Sequence, residues 1–247
     1  MPRAVAVLAL LFAATLSAAD APPMPAAERA KMLAGFSADV AALDLAIVES
    51  PREAAFYSRR GDRHLFLAHF PEAVADFEKM IALDPAHDAP HWRLGIAYYF
   101  AGQFAKSSRQ FEKYHAHDGG DRENGLWKFL ADVKILGLAP AQRAMLAYAS
   151  FDREPFPSLY EMFAGRMTTD DFLATLKTRR LAENSAVMFF AQYYAGLHDE
   201  ILGHRERALG LLRAAVARPW GRTAEGGPAY MWQVARLHYE KLAAPQP

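Results

Sequence analysis

Apolar residues fall at helical spacing along most of the chain, and between Ala54 and Gly120 the pattern is written twice with an offset of 34 residues. Gly61 recurs as Gly95, Phe66 as Phe100, Phe70 as Phe104, and Phe77-Glu78-Lys79 as Phe111-Glu112-Lys113. Arg59 recurs as Arg93, and Pro51 and Asp84 recur as Pro85 and Asp118. Each unit holds two amphipathic segments, so the pattern predicts stacked helix pairs. A glycine inside a helix costs about 1 kcal/mol relative to alanine. Its recurrence therefore predicts a position where two helices approach closely.

In order, the pattern predicts a helix over 28–49 with Val40, Leu43, Ile47 and Val48 on its buried face and Leu45 on the flank. In the 34-residue frame this segment is the second half of an incomplete unit, 28–53. Full units follow at 54–87 and 88–121. The second departs from the first at Ser107 and at Gly119. A divergent unit spans 122–150, with helices expected over Asn124 to Leu136 and Pro140 to Ala149. Two short helices, Leu159 to Met167 and Thr169 to Leu176, lie outside the frame. They make 151–178 an insertion. Periodicity returns over 184–220, with Gly196, Gly203, Ala208, Leu212 and Ala215 in register, and a last amphipathic helix over 228–243 reads as a terminal cap.

The N-terminus changes the picture of where the chain works. Arg3, the apolar run Ala4 to Leu16 and the small residues Ser17-Ala18-Ala19 form the three parts of a secretory signal. Residues 1–19 are therefore expected to be cleaved, leaving Asp20 first and 20–27 as a flexible lead-in; the alternative is an uncleaved anchor. The product is expected in the bacterial periplasm or outside the cell, without a membrane span. There is no cysteine, hence neither a disulfide nor a lipid carried on cysteine. Lysine plus arginine equal aspartate plus glutamate at 28 each, with no basic tract. That composition argues against nucleic acid or an anionic membrane as partner.

A 34-residue helix-turn-helix period identifies the chain as similar to tetratricopeptide repeat (TPR) proteins, and predicts an all-α solenoid of antiparallel helix pairs. In its order of parts it resembles the bacterial periplasmic TPR lipoproteins of the new-lipoprotein-I kind. Leu94-Gly95-Ile96-Ala97-Tyr98-Tyr99, Phe129-Leu130-Ala131 and the run Ala208 to Ala217 carry that resemblance. Those proteins are adaptors that bring a periplasmic protease and peptidoglycan enzymes together. This chain lacks their lipidated cysteine.

The resemblance implies that the first helix of each unit lines a concave face. The residues placed there are Ala55, Ser58, Asp62 and Leu65, then Ala89, Trp92, Ile96 and Tyr99. Arg59 and Arg93 flank the stripe. Their guanidinium groups would pair with a peptide carboxylate, or serve only as exposed charges or inter-helix ion pairs. Trp92 and Tyr99 would anchor a peptide, or pack as ordinary core between units. The expected partner-binding set is Arg59, Asp62, Trp92, Arg93, Ile96 and Tyr99. Ser58 and Asp62 stand where a carboxylate-clamping TPR carries asparagine and lysine, which argues against that clamp.

Nothing else in the sequence has a catalytic or metal-binding spacing. His87 and His91 lack a third ligand, and His198-Asp199-Glu200 does not have the zinc-protease order. Nucleophile-elbow, phosphate-loop and dinucleotide glycine motifs are absent. Asp170-Asp171 read as favourable charges at a helix N-terminus. The expectation is a non-enzymatic scaffold without cofactor or metal, holding a peptide or protein in its concave face. The alternatives are an enzyme with a site between the repeats and 151–178, or a structural homodimer.

Overall fold

A computed structural model describes residues 23–150 and 152–245. The expected signal segment 1–19 lies outside the described residues. Within them the protein is all-α: thirteen α-helices and no strand. A long helix α1 (Ala26–Glu49) leads into two helical hairpins, α2 (Ala54–Phe66) with α3 (Phe70–Leu83) and α4 (Trp92–Phe100) with α5 (Phe104–His117). Four less regular helices follow: α6 (Arg122–Leu136), α7 (Leu138–Arg143), α8 (Phe156–Phe163) and α9 (Thr169–Thr178). A third hairpin pairs α10 (Ser185–Ile201) with α11 (Arg205–Val216), and α12 (Pro219–Thr223) leads into α13 (Gly227–Ala243).

The three hairpins repeat the same contacts. A Cβ on Gly61 would lie 2.6 Å from the Phe77 ring, one on Gly95 would lie 2.6 Å from the Phe111 ring, and one on Gly196 would lie 2.8 Å from Leu212 Cγ. The glycine is needed because a large side chain of the second helix occupies the space its own would fill. A small residue, Ala73, Ser107 or Ala208, is fully buried one turn before that large side chain. Ser107 is tolerated there because its hydroxyl donates to the Gly95 carbonyl at 2.8 Å. Each hairpin turn contains one left-handed residue: Ala68 at φ 62°, Gly102 at φ 73° and Gly203 at φ 82°. At each, the next N–H reaches back to the carbonyl five residues earlier: His69 to His64, Gln103 to Tyr98, His204 to Asp199. This closes the first helix as a Schellman-type cap.

Several elements differ from the sequence expectation. On α1, Leu43 is buried but Val48 is 80 % exposed and Leu45 is also exposed, because α1 packs chiefly on α2 through a narrow stripe. The helix expected to run to Ala149 stops at Arg143. Beyond it the Leu146 carbonyl accepts from the Tyr160 hydroxyl at 2.7 Å and the Tyr148 carbonyl from Arg122, so this backbone serves other elements instead of continuing a helix. The segment read as an insertion supplies core: Phe156, Leu159, Met162, Phe163 and Phe172 are fully buried, and α8 packs on α6 and α10. Pro157 does not prevent α8, since proline is compatible with a first helical turn.

The last helix is central, not terminal. Tyr230, Met231, Trp232 and every residue from Val234 to His238 are buried, so α13 meets solvent along its middle only at the partly exposed Gln233. It touches α1 through Arg29–Glu240, α2 through Phe66–Tyr230, α4 through Trp92–Tyr230, α6 through Trp127–His238 and α10 through Tyr193–His238. Trp232 donates to the Val216 carbonyl of α11 at 3.0 Å and covers Gly221 of α12.

A test of the turn geometry follows from Ala68, whose left-handed backbone costs an L-residue about 1–2 kcal/mol, part of which glycine gives back in chain entropy. Ala68→Gly is expected to raise unfolding stability by roughly 0.5–1 kcal/mol and Gly102→Ala to lower it by about as much. Urea melts of both variants check this.

Candidate functional site: a cleft at the head of the central helix

Four helices begin around one cavity of about 870 Å³: α4 at Trp92, α6 at Asp121–Glu123, α10 at Asn184–Val187 and α13 at Gly227–Pro228. Trp92, Trp127, Val187, Phe190, Trp220 and Met231 form its apolar walls. Asp121, Glu123, Arg153 and Glu154 form its polar end. Such a combination of apolar wall and a few convergent polar groups is the usual make-up of a ligand site.

The helix caps explain why the polar residues sit there. Asp121 caps α6 by accepting from the Glu123 N–H at 3.0 Å and from the Asn124 side chain at 2.7 Å. Asn184 caps α10 by accepting from the N–H groups of Ala186 and Val187. Carboxylates are favourable at a helix N-terminus, and α6 therefore brings two to the cleft. Arg153 balances them. Its guanidinium bonds Glu123 and reaches Asp121 and Asp152, each at 3.3 Å, while lying 4.3 Å over the Phe156 ring.

Glu123 is almost fully buried, and its other oxygen accepts from the Tyr194 hydroxyl at 2.7 Å. Burial pushes its carboxyl up to about 7, against the pull of Arg153 and with the push of Asp121. Burial raises Asp121 as well, again against Arg153. Glu154 is held by Arg179 through one oxygen, whereas its Oε2 is buried with no hydrogen-bond partner.

The residues expected to form a partner surface are distributed differently. Trp92 lines the cleft and stands edge-on to Tyr230 at 4.8 Å. Ile96 is fully buried and presents no surface. Tyr99 packs against Trp127 at 5.5 Å and His238 at 5.8 Å, because α13 fills the space in front of α4. Arg93 bonds Asp62 at 2.6 Å and Ser58 at 2.9 Å, joining the first two hairpins as an inter-helix pair. Burial raises the Asp62 carboxyl to about 6, even with Arg93 and Arg63 nearby. Arg59 is exposed and pairs with no described residue. Ser58, Trp92 and Arg93 also line a smaller cavity of about 440 Å³ between the two hairpins.

His91 and His198 are tied into the structure by hydrogen bonds. His91 Nδ1 accepts from the Leu94 N–H at 2.9 Å and so caps α4, and burial lowers its pKa to about 3. His198 approaches the Thr169 hydroxyl at 3.2 Å, and Asp170 at the start of α9 pairs with Arg207 at 2.6 Å.

Sequence reasoning passed over Asp121, Glu123, Arg153, Glu154, Phe190 and Trp220. One signal was available: Asp121 and Glu123 flank the start of a predicted helix, the pattern of a capped N-terminus. Nothing local says that Arg153, thirty residues on, returns to them. Among comparisons with known proteins, no family model and no curated protein matches the chain.

Arg93→Ala is expected to cost about 1–3 kcal/mol, since it strands the buried Asp62 carboxylate, while Arg59→Ala stays within about 0.5 kcal/mol of wild type. Chemical melts at pH 7 compare the two. A second expectation concerns Glu123. The folded carboxyl keeps its proton up to about 7, against an ordinary value of 4.5. Folding therefore takes up a proton in this window, and stability contributed at low pH is lost as pH rises through it. Glu123→Gln lacks that slope, so the wild-type-minus-variant stability difference falls between pH 4.5 and 7 and is flat above. Melts at pH 4.5, 6, 7 and 8 measure it.

Proposed function

We propose that this chain is an exported, non-enzymatic TPR-type solenoid that acts as a scaffold, and that a peptide or protein partner anchors in the cleft at the head of α13. The observation that carries the binding role is the cleft itself: a large apolar cavity with one polar end, walled by Trp92 of the expected partner-binding set. The glycine-on-large-residue contact repeated at Gly61, Gly95 and Gly196 supports the TPR assignment. The signal-like segment at 1–19 supports export. None of the described helices is long and apolar enough to cross a membrane.

The location of the anchor shifts under this reading. A peptide lying along the stripe of α2 and α4 would compete with α13 for Phe66, Tyr99 and Phe100, which α13 already covers. The cleft opens from that face at Trp92, and the smaller cavity at Ala55, Ser58 and Arg93 is the other part that stays open. An enzymatic reading draws on Glu123, whose carboxyl sits near neutrality in the cavity. Its two oxygens accept from Arg153 and from Tyr194, which ties the carboxyl to structural partners in the wall. Binding is the better-supported role.

The test uses a random peptide display library selected on the intact protein. Ala186 lines the cleft from the first turn of α10, so Ala186→Trp should fill it. Selected peptides are expected to lose about tenfold or more in affinity for Ala186→Trp, the loss of one anchor residue of about 1.4 kcal/mol or more. Peptides that bind wild type and variant equally, or a library that yields no binder, would reject the cleft as the partner site.

A further inference from the structure

We propose that two copies of this chain associate through the outer face of α1, the two helices running antiparallel about a two-fold axis, with Lys31 of each copy facing Glu49 of the other. The inference does not involve the cleft, and either reading can fail alone.

α1 carries six charged residues, and four of them turn back to the protein. Glu28 pairs with Arg222 at 2.7 Å, Arg29 with Glu240 at 2.6 Å, Asp39 with Arg63 at 2.7 Å and Asp44 with Arg60 at 2.6 Å. Lys31 and Glu49 are exposed and pair with no described residue. Between them Ala34, Ala38, Ala41, Ala42, Leu45 and Val48 are all exposed, with no charge in the stripe. Leu45 is 70 % exposed and Val48 80 %. Positions 34, 38, 41, 45 and 48 alternate steps of four and three, the spacing of a seam that packs against another helix. The face used internally is a different one, where Leu43 is buried and Met32 and Phe36 pack on the core. α1 is therefore apolar on two faces and covered on one. An outermost helix of a stack ordinarily turns a polar face to water, and this one does not.

Charge selects the occupant and its direction. Lys31 and Glu49 are 18 residues apart, about five helical turns, so they lie on the same edge of the stripe, roughly 27 Å from each other. A two-fold axis across the middle of the stripe, near Val40, exchanges the two ends and keeps the edge. Each Lys31 then meets a Glu49. Parallel helices would set lysine against lysine and glutamate against glutamate. The same axis puts Leu45 of each copy beside Ala34 of the other, large against small, and brings Ala38, Ala41 and Ala42 together where two backbones approach closely. The face thus complements itself in charge and in size, and a second copy satisfies it without a further protein. The strip measures roughly 27 Å by 10 Å, below the about 800 Å² per partner of a standard complex. The dimer is accordingly reversible and concentration dependent.

Analytical ultracentrifugation of the intact protein at low salt, from about 1 μM to about 1 mM, tests this. Wild type is expected to shift from monomer to dimer across the range. Lys31→Glu should weaken association about tenfold or more, because symmetry makes each substitution act twice. The double variant Lys31→Glu/Glu49→Lys should return to within about threefold of wild type. Ala41→Arg, at the centre of the contact, should weaken association about tenfold or more. All three positions are exposed, so melts and far-UV circular dichroism of the variants should match wild type. A protein that stays monomeric to about 1 mM overturns the proposal and leaves the face to another protein. A dimer that Ala41→Arg leaves intact, or a charge swap that restores nothing, overturns it too. So does association that vanishes when residues 1–19 are removed, which would make that segment the contact.

Discussion

The enclosure of α13 is the constraint on which the rest of the structure depends. A helix buried along most of its circumference must pair the charged side chains it carries, because an unmet buried charge costs a sizeable part of a domain's stability, even where the Tyr230 hydroxyl and His238 Nε2 stay without a partner. Arg236 shows how this is met. It is 2 % exposed, and its guanidinium donates to the Phe66 carbonyl, to Gln233 at 2.9 Å and to Glu240 at 2.9 Å. Glu240 in turn holds Arg29 of α1. One buried cation therefore ties the beginning, the first hairpin and the end of the chain together. Trp232 and His238 do the same toward α11 and α10. These bonds are directional, so α13 has one depth and one rotation in its setting.

Around that helix, regular and irregular parts divide the work. The three glycine-bearing hairpins are built by one rule, a missing side chain on the first helix receiving a large one from the second. They pack without leaving much choice. From α6 to α9 the rule lapses. Gly125 faces the hydroxyls of Tyr148 and Tyr160 instead of a hydrocarbon side chain. It is in this stretch, between α6 and the start of α10, that most of the cleft's polar end arises. A strict repeat presents equivalent surfaces, whereas a break in it brings together residues of unrelated positions.

The cleft is also where electrostatics and burial work against each other. Asp121 and Glu123 are drawn to the N-terminus of α6 by its partial positive charge, yet their burial favours the protonated form. Arg153 moderates this from outside the helix. Its guanidinium lies over the Phe156 and Phe190 rings, so the same group joins the polar end to the apolar wall.

Sequence by itself determined the local architecture. The offset of 34 residues placed the first two hairpins, the glycines marked their close contacts, and Asp84, Asp118 and Pro219 marked where helices stop or start. These features were legible because each depends on residues within one hairpin, at fixed spacing. What tertiary structure alone decided is long-range. The amphipathic pattern of α13 suits a terminal cap as well as a central helix, since one apolar stripe is required in either place; only its neighbours reveal the burial of the other faces. Arg93 has the same identity whether it faces a ligand or Asp62. Arg153 meets Glu123 across thirty residues with no spacing rule to announce it. Helical periodicity encodes which face of a segment is apolar, and carries no record of which distant segment will lie against it.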